Sequence, residues 1–365
     1  MTRILVVGGG PGGCAAAISL HRTGNDVVLL ERSRTPVDRV GETLAGEGVE
    51  ILRELGVLAA FERLEARPSH LHRIHWGARQ LERSALFVKT GPSRHLDRAA
   101  FDSMLLAAAR DAGARVEHGS LLTIEPGGDA LVANIRSGAQ NARLTCEAVI
   151  DATGRVASVS RRLGARRERA DRLVALTATF ERGKLEPSSL VEGVAEGWWY
   201  TAPRPNGGLI AMYVTEDAAG KGERTEVWRR GLRAVVATRE RLSALTRRTP
   251  ITLCSAAPGF THFDASLPAL PVGDAAVSFD PISGRGLCFA LRSGIEAARA
   301  LRSAPLRSAF YAGALQIYRE HLQQREQGYA RQRAVLGSAF WQRRRDSAID
   351  YGDQALPRRE AHARH

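Results

Sequence analysis

The apolar run Ile4-Leu5-Val6-Val7 passes straight into Gly8-x-Gly10-x-x-Gly13, and Ala15–Leu20 continues with helical composition. Few folds accommodate a strand that meets three glycines at this spacing and restarts as a helix. Gly8 permits a tight turn, Gly10 lets the backbone approach a pyrophosphate, and Gly13 lets the helix lie close on the strand. Pro11 and Gly12 fill the turn, where free N–H groups and the helix dipole favour an anion. A second strand, Asp26–Leu30, follows, and Glu31 ends it eighteen residues after Gly13, with Arg32 beside it. An acid at that place fits a ribose hydroxyl better than a 2′-phosphate. The uninterrupted apolar strand is that of a parallel sheet buried on both faces. The opening therefore reads as a Rossmann-like dinucleotide site, a fingerprint that NAD and FAD share.

The remaining chain alternates helices and strands without repeats or low-complexity linkers. Residues 99–112 form an Ala- and Leu-rich helix ending at Gly113. Short strands are expected at Arg115–His118 and Leu121–Ile124. A hairpin is expected from Leu131–Arg136 and Arg143–Cys146 around Ser137-Gly138. Ala148–Asp151 is another buried strand, and residues 173–182 and 208–215 point to a second sheet. Residues 225–245 read as helical, Ala269–Val272 as a short strand, and Gly286 to Leu301 as a helix. Residues 306–345 read as basic helix, followed by a polar, loosely held tail.

Composition narrows the class. No apolar run approaches the ~18 residues of a membrane span, no signal-peptide pattern opens the chain, and Cys14, Cys146, Cys254 and Cys288 are too scattered for a disulfide framework or a metal site. A cytoplasmic location is expected. The net charge of +13 rests on 49 arginines and only three lysines, Lys89, Lys184 and Lys221. That skew resembles coding bias more than a phosphate-binding surface, so nucleic acid is not expected as a partner. Arginines concentrate in residues 155–172 and 319–345, as solvated helix faces or as a docking surface for an acidic protein.

Further segments carry a resemblance. They are Arg39-Val40-Gly41-Glu42-Thr43, then Arg98 followed by Phe101-Asp102, then Gly273-Asp274-Ala275-Ala276 and Asp280-Pro281-Ile282-Ser283-Gly284-Arg285-Gly286. In order and spacing they resemble the two-domain FAD monooxygenases that share the fold of para-hydroxybenzoate hydroxylase. The match spans residues 4–300 and is nearest to tryptophan halogenase-like flavoproteins, including the monooxygenases that mature cysteine tryptophylquinone enzymes. The resemblance implies an α/β chain. Its Rossmann-like FAD-binding domain (1–75, 98–163 and 265–305) would carry an inserted α+β substrate domain with a mixed or antiparallel sheet (76–97 and 164–264). Residues 306–365 would form C-terminal basic helices and a tail. It also implies FAD as cofactor, held by Gly8, Gly10, Pro11, Gly12, Gly13, Glu31, Arg32, Arg39, Gly41, Glu42, Thr43, Arg98, Gly273, Asp274, Pro281, Gly284, Gly286 and Leu287. Beside the resemblance, the Asp after a buried strand can accept from a ribityl hydroxyl. Pro281, Gly284 and Gly286 let a loop pass close to a flat ring, and the helix opening near Gly286 aims its N-terminus at a reduced flavin. Arg98 is read as a partner of the flavin phosphate or ribityl chain, or as a structural surface arginine.

The implied activity is hydroxylation of an electron-rich aromatic, of indole or phenol type and free or peptide-borne, through a flavin C4a-hydroperoxide. Trp198, Trp199, Tyr200 and Tyr213 are candidate pocket walls, or plain sheet packing. Halogenases carry Trp-x-Trp-x-Ile-Pro where this chain has Trp198-x-Tyr200-x-Ala202-Pro203, departing at two of four positions. A halogenase also needs a lysine, and Lys89 is the candidate, with a solvent-facing strand residue as the alternative. His72 and His75, grouped with His70 and Trp76, are candidate acid–base residues or surface histidines. The Asp-Gly segment of simpler hydroxylases appears only as Asp151-Ala152-Thr153-Gly154-Arg155. Reduction is therefore expected from NAD(P)H directly or through a separate flavin reductase. A geranylgeranyl reductase-like saturase and a non-catalytic FAD-binding partner protein are the remaining readings.

Overall fold

The structure is a computed structural model that describes residues 3–35, 40–84, 90–128, 130–138, 140–181, 188–216 and 223–344. Arg39, all three lysines and the tail beyond residue 344 lie outside the described residues.

A parallel five-stranded sheet runs in the order Ala269–Pro271, Ala148–Asp151, Arg3–Val7, Asp26–Glu31, Arg115–His118. Alternation along the first strand sends Ile4 and Val6 to one face and Leu5 and Val7 to the other. The first face packs on helices Pro11–Arg22, Arg98–Asp111 and Gly286–Ala300. The second packs on an antiparallel trio, Ser120–Gly127, Ala130–Ser137 and Gln140–Cys146. Helices Pro11–Arg22 and Gly286–Ala300 meet through small residues: a Cβ on Gly294 would lie 2.3 Å from the Gly12 carbonyl oxygen.

The second sheet has seven strands, in the order Thr252–Ser255, Val174–Phe180, Leu209–Thr215, Gly197–Pro203, Ser188–Val194, Leu71–Trp76, Arg79–Ser84. Its pairs are antiparallel except Ser188–Val194 with Leu71–Trp76, which is parallel, so the sheet is mixed. The sheet takes in Leu71–Trp76 whole, so a divide at residues 75 and 76 falls inside one of its strands. Its two faces have different neighbours. The back row Leu176, Tyr213, Trp199, Glu192 and His75 lies under helices Arg224–Arg233 and Ala237–Ser243. The front row Thr177, Met212, Tyr200, Val191 and Ile74 faces the other way.

Residues 225–245 form two helices rather than one. The Glu192 carboxylate accepts from the backbone N–H groups of Val236, Ala237 and Thr238 at 3.2, 3.2 and 2.8 Å, which starts a new helix there.

The C-terminal helix Ala304–Leu336 is 33 residues long, begins at the Ser303 cap and ends at Gly337, φ +56°. Its buried residues include Ala314, Tyr318, His321, Arg325, Tyr329 and Gln332, a single stripe at helical spacing. With helix Ala339–Gln342 it covers the upper front of the second sheet, where Trp198, Met212 and Val214 meet Tyr329, Phe340 and Trp341. Some arginines of the two basic runs are consumed inside the fold, while most of those described stay exposed. Arg155 donates to the carbonyls of Ala257 and Phe279, Arg167 to Thr261 Oγ1 and Ser278 Oγ, and Arg325 pairs with Asp171 and Asp280. Among the described residues no helix is long and apolar enough to cross a membrane.

Gly294→Ala is expected to lower stability by roughly 1–3 kcal/mol, because its methyl must push two helices apart. Gly313→Ala, exposed with open space in the C-terminal helix, should raise stability by roughly 0.5–1 kcal/mol. Urea midpoints of the two variants check both signs.

Candidate active site

The glycine turn divides its duties. Gly8 has φ +111°, and a Cβ there would lie 2.3 Å from the Ala152 carbonyl oxygen; a Cβ on Gly13 would lie 1.9 Å from that of Gly8. Both are dictated by the chain's own backbone. Gly10, which caps helix Pro11–Arg22, would meet nothing within 4 Å. The open space lies at a helix N-terminus, where phosphate is favoured. Glu31 accepts from Gly9 N at 2.6 Å and from Ser33 N at 2.8 Å. Each carboxylate oxygen has a further lone pair, which leaves acceptors for ribose hydroxyls. Arg32 is exposed beside it.

The loop before the short strand Thr43–Leu44 is held from helix Arg98–Asp111. Arg98, buried at the first position of that helix, donates to the carbonyls of Val40 at 2.7 Å and Gly41 at 3.3 Å and pairs with Asp102 at 3.1 Å. Gly41 sits at φ +109° and its Cβ would strike the guanidinium, so this position needs glycine twice over. Arg98 is thus a fastener of the loop, with Nε still unpartnered among the described residues. Glu42 is buried, its Oε1 has no partner among the described residues, and burial pushes its carboxyl up from the ordinary range.

On the far side, Gly273 N donates to Ser293 Oγ at 2.9 Å. The Asp274 carboxylate, partly exposed, stands 3.3 Å from the Arg155 guanidinium. The Asp280 turn, Pro281–Ser283, leads through Gly284, φ +62°, to the helix that starts at Gly286. A Cβ on Gly284 or on Gly286 would meet nothing within 4 Å, whereas Leu287 is buried. Asp280 is fully buried. It accepts from Tyr329 Oη at 2.6 Å and from Ile282 N at 3.1 Å, lies 2.9 Å from Arg325 Nε, and donates its own N–H to His321 Nε2 at 3.0 Å. Trp198 Nε1 donates to the same Tyr329 hydroxyl at 3.2 Å.

The second sheet distributes the sequence candidates between its faces. Tyr200 and Trp198 are in front and Trp199 and Tyr213 behind, stacked at 4.8 Å with Trp228 edge-on to Trp199. The back pair therefore packs helices and does not share a wall with Tyr200. His72 and His75 separate likewise, since three residues along a strand reverse the face. His72 is in front, Nδ1 to Ser189 Oγ at 2.6 Å, its pKa lowered by burial. His75 is behind, 4.0 Å from Glu192. The Tyr200 hydroxyl reaches 2.9 Å from Thr43 Oγ1, which is 3.2 Å from His95 Nδ1. His95 is buried, its Nε2 has no partner among the described residues, and burial, with His72 and Arg241, pushes its pKa down to about 4. Sequence reasoning missed His95 and Ser189. Their one signal is the pairing of strands, which a linear reading does not supply. Asp151 is occupied by Thr153 and Ser160 through four hydrogen bonds of 2.6–3.0 Å.

Residues 1–248 match the family model for the FAD binding domain. The chain belongs to this FAD-binding family. It is 28% identical over 354 residues to a putative FAD-dependent oxidoreductase, LodB, of Marinomonas mediterranea, covering 93% of this chain and 96% of that one. Among solved structures it resembles the flavin-dependent halogenase CmlS, with TM-score 0.84, 24% identity, and coverage of 94% of this chain and 67% of that one. It also resembles the peptidyl tryptophan dihydroxylase QhpG, essential for tryptophylquinone cofactor biogenesis, with TM-score 0.76, 23% identity, and coverage of 97% and 80%. The chain is accordingly an FAD-dependent oxidoreductase. The residues present fit FAD: an open cradle at Gly10, a carboxylate at the second strand end, glycines with open space at 284 and 286, and unpartnered buried atoms on Glu42 and Arg98.

Gly10→Val should abolish FAD retention, read by flavin absorbance after gel filtration, with little loss of fold by circular dichroism. Tyr329→Phe leaves Asp280 and Trp198 short of a partner, which should cost about 1–3 kcal/mol and weaken FAD binding in a fluorescence titration. His95, at about 4, and His321, which burial pushes down to about 3, sit below the ordinary 6.5. Between pH 6.5 and about 4 the unfolded chain takes up protons that the fold refuses, so stability present above 6.5 falls with pH. Each histidine contributes about 1.4 kcal/mol per pH unit in that window, and His321→Gln should flatten the slope of urea midpoints against pH.

Proposed function

We propose that this chain is an FAD-dependent monooxygenase that hydroxylates an electron-rich aromatic of indole or phenol type, free or borne on a peptide. The observation that carries the reading is the polar group Tyr200, Thr43, His95, Glu42 and His72. It lies where the front of the substrate sheet meets the cofactor-binding loop, with Glu42 Oε1 and His95 Nε2 unpartnered among the described residues. The whole-length likeness to LodB and the fold of QhpG support it.

Bound FAD, once reduced, supplies the activation of dioxygen. The chain supplies the rest. Val191 and Ile74, half-buried on the front row, offer an apolar surface for a ring beside Tyr200, and the C-terminal helix shuts water from the part of the same face that holds Met212. His72 is held neutral by burial. In the tautomer whose Nδ1–H donates to Ser189 Oγ, Nε2 is the nitrogen that takes a proton from the substrate as oxygen is transferred. Because Asp151 is committed to Thr153 and Ser160, reduction is assigned to a separate flavin reductase rather than to direct NAD(P)H.

The test supplies reduced FAD and oxygen to the holoprotein, with indole, phenol or a tryptophan peptide, in buffered chloride or bromide. A product heavier by one oxygen is expected, and His72→Ala should lower its rate by about 10²–10⁴-fold. A halogenated product that disappears in Lys89→Ala would replace the reading with a halogenase. Oxygen consumption with no altered substrate would leave only the FAD-dependent oxidoreductase.

A further inference from the structure

The two layers of the site touch through hydrogen bonds whose direction is not fixed. In the antiparallel pair of Thr43–Leu44 with Ser93–His95, Thr43 stands opposite His95, so both side chains leave on one side. Thr43 Oγ1 is 3.2 Å from His95 Nδ1, and Tyr200, from the other layer, brings its hydroxyl 2.9 Å from the same oxygen. A phenol, an alcohol and a neutral imidazole can each donate or accept. His95 is neutral near pH 7, pushed down to about 4.

Two arrangements satisfy the row. With the His95 proton on Nδ1, His95 donates to Thr43, Thr43 donates to Tyr200, and the Tyr200 O–H is left to donate elsewhere. With the proton on Nε2, Tyr200 donates to Thr43, Thr43 donates to Nδ1, and a Tyr200 lone pair is left to accept. In many buried histidines the second nitrogen selects the tautomer. Here Nε2 is buried without a partner among the described residues, so it selects neither. The row ends on the front face of the sheet, beside Met212 and Val191.

We propose that the Tyr200 hydroxyl recognises the polar handle of the aromatic substrate, and that Thr43 and His95 are positioning residues that let it either donate or accept. The ligand class is an aromatic ring with an N–H, O–H or ring nitrogen. The inference rests on the aromatic-oxygenase reading and adds the group that is recognised. If the row were only interlayer glue, its loss would move stability and leave ligand preference untouched.

The test titrates the FAD-loaded protein with four probes, followed by flavin absorbance. Indole can only donate and 1-methylindole is its control; quinoline can only accept and naphthalene is its control. Wild type should prefer indole to 1-methylindole and quinoline to naphthalene, each by about two- to tenfold, as for one neutral hydrogen bond. Tyr200→Phe should erase both preferences and Thr43→Ser should keep both. His95→Leu leaves Thr43 only Tyr200 to donate to, so the indole preference should vanish and the quinoline preference remain. Preferences near one in wild type, or unchanged in Tyr200→Phe, overturn the proposal. If they are absent while the oxygenated product still forms, this inference alone fails. If FAD binds but no probe perturbs it and no oxygenated product forms, the underlying reading fails.

Discussion

A carboxylate with no solvent exposure organises this molecule. Asp280 belongs to the loop that precedes the helix at Gly286, yet its partners come from the C-terminal helix: Tyr329, Arg325 and His321. A buried charge is tolerated only when paired and hydrogen-bonded. Satisfying Asp280 therefore fixes the helix, and through Tyr329 it also fixes Trp198 of the second sheet. Arg325 carries the constraint on to Asp171. One side chain thus registers the loop before the Gly286 helix, the second sheet and the last helix against each other.

The parts of the fold set by local chemistry were legible. Gly8, Gly13 and Gly41 are where backbone geometry permits little else, and the apolar runs of the parallel sheet announced themselves by composition. Residues 225–245 read as helical, and they are; the break within them was not legible, because Glu192, more than thirty residues upstream, caps a second helix. The site was legible in part. The separation of Trp199 from Tyr200, and of His72 from His75, follows from strand alternation once the strands are known. His95 was not legible, since its chemistry arises only when Ser93–His95 pairs with Thr43–Leu44.

Charge shows the same divide. The C-terminal run reads as a basic, solvated helix, yet its buried stripe includes His321, Arg325, Tyr329 and Gln332. A hydrophobic pattern does not reveal such a face, because the residues are polar and their partners lie elsewhere in the chain. Arginine suits this work, since its planar fork stays charged when buried and satisfies several acceptors at once. Arg155, Arg167, Arg325 and Arg344 are thereby turned inward, while Arg161, Arg162, Arg166, Arg169, Arg172, Arg319, Arg331 and Arg343 stay on the surface.

The stack of Trp199, Tyr213 and Trp228 behind the second sheet has a consequence for how such a protein can change. Aromatic pairs of this kind contribute about 0.5–1.5 kcal/mol each beyond the area they bury, and they act on the face turned away from Tyr200. The sheet is anchored from behind, so half-buried front residues such as Val191 and Ile74 are relieved of much of the task of holding it. A descendant could alter those front positions while inheriting the same frame.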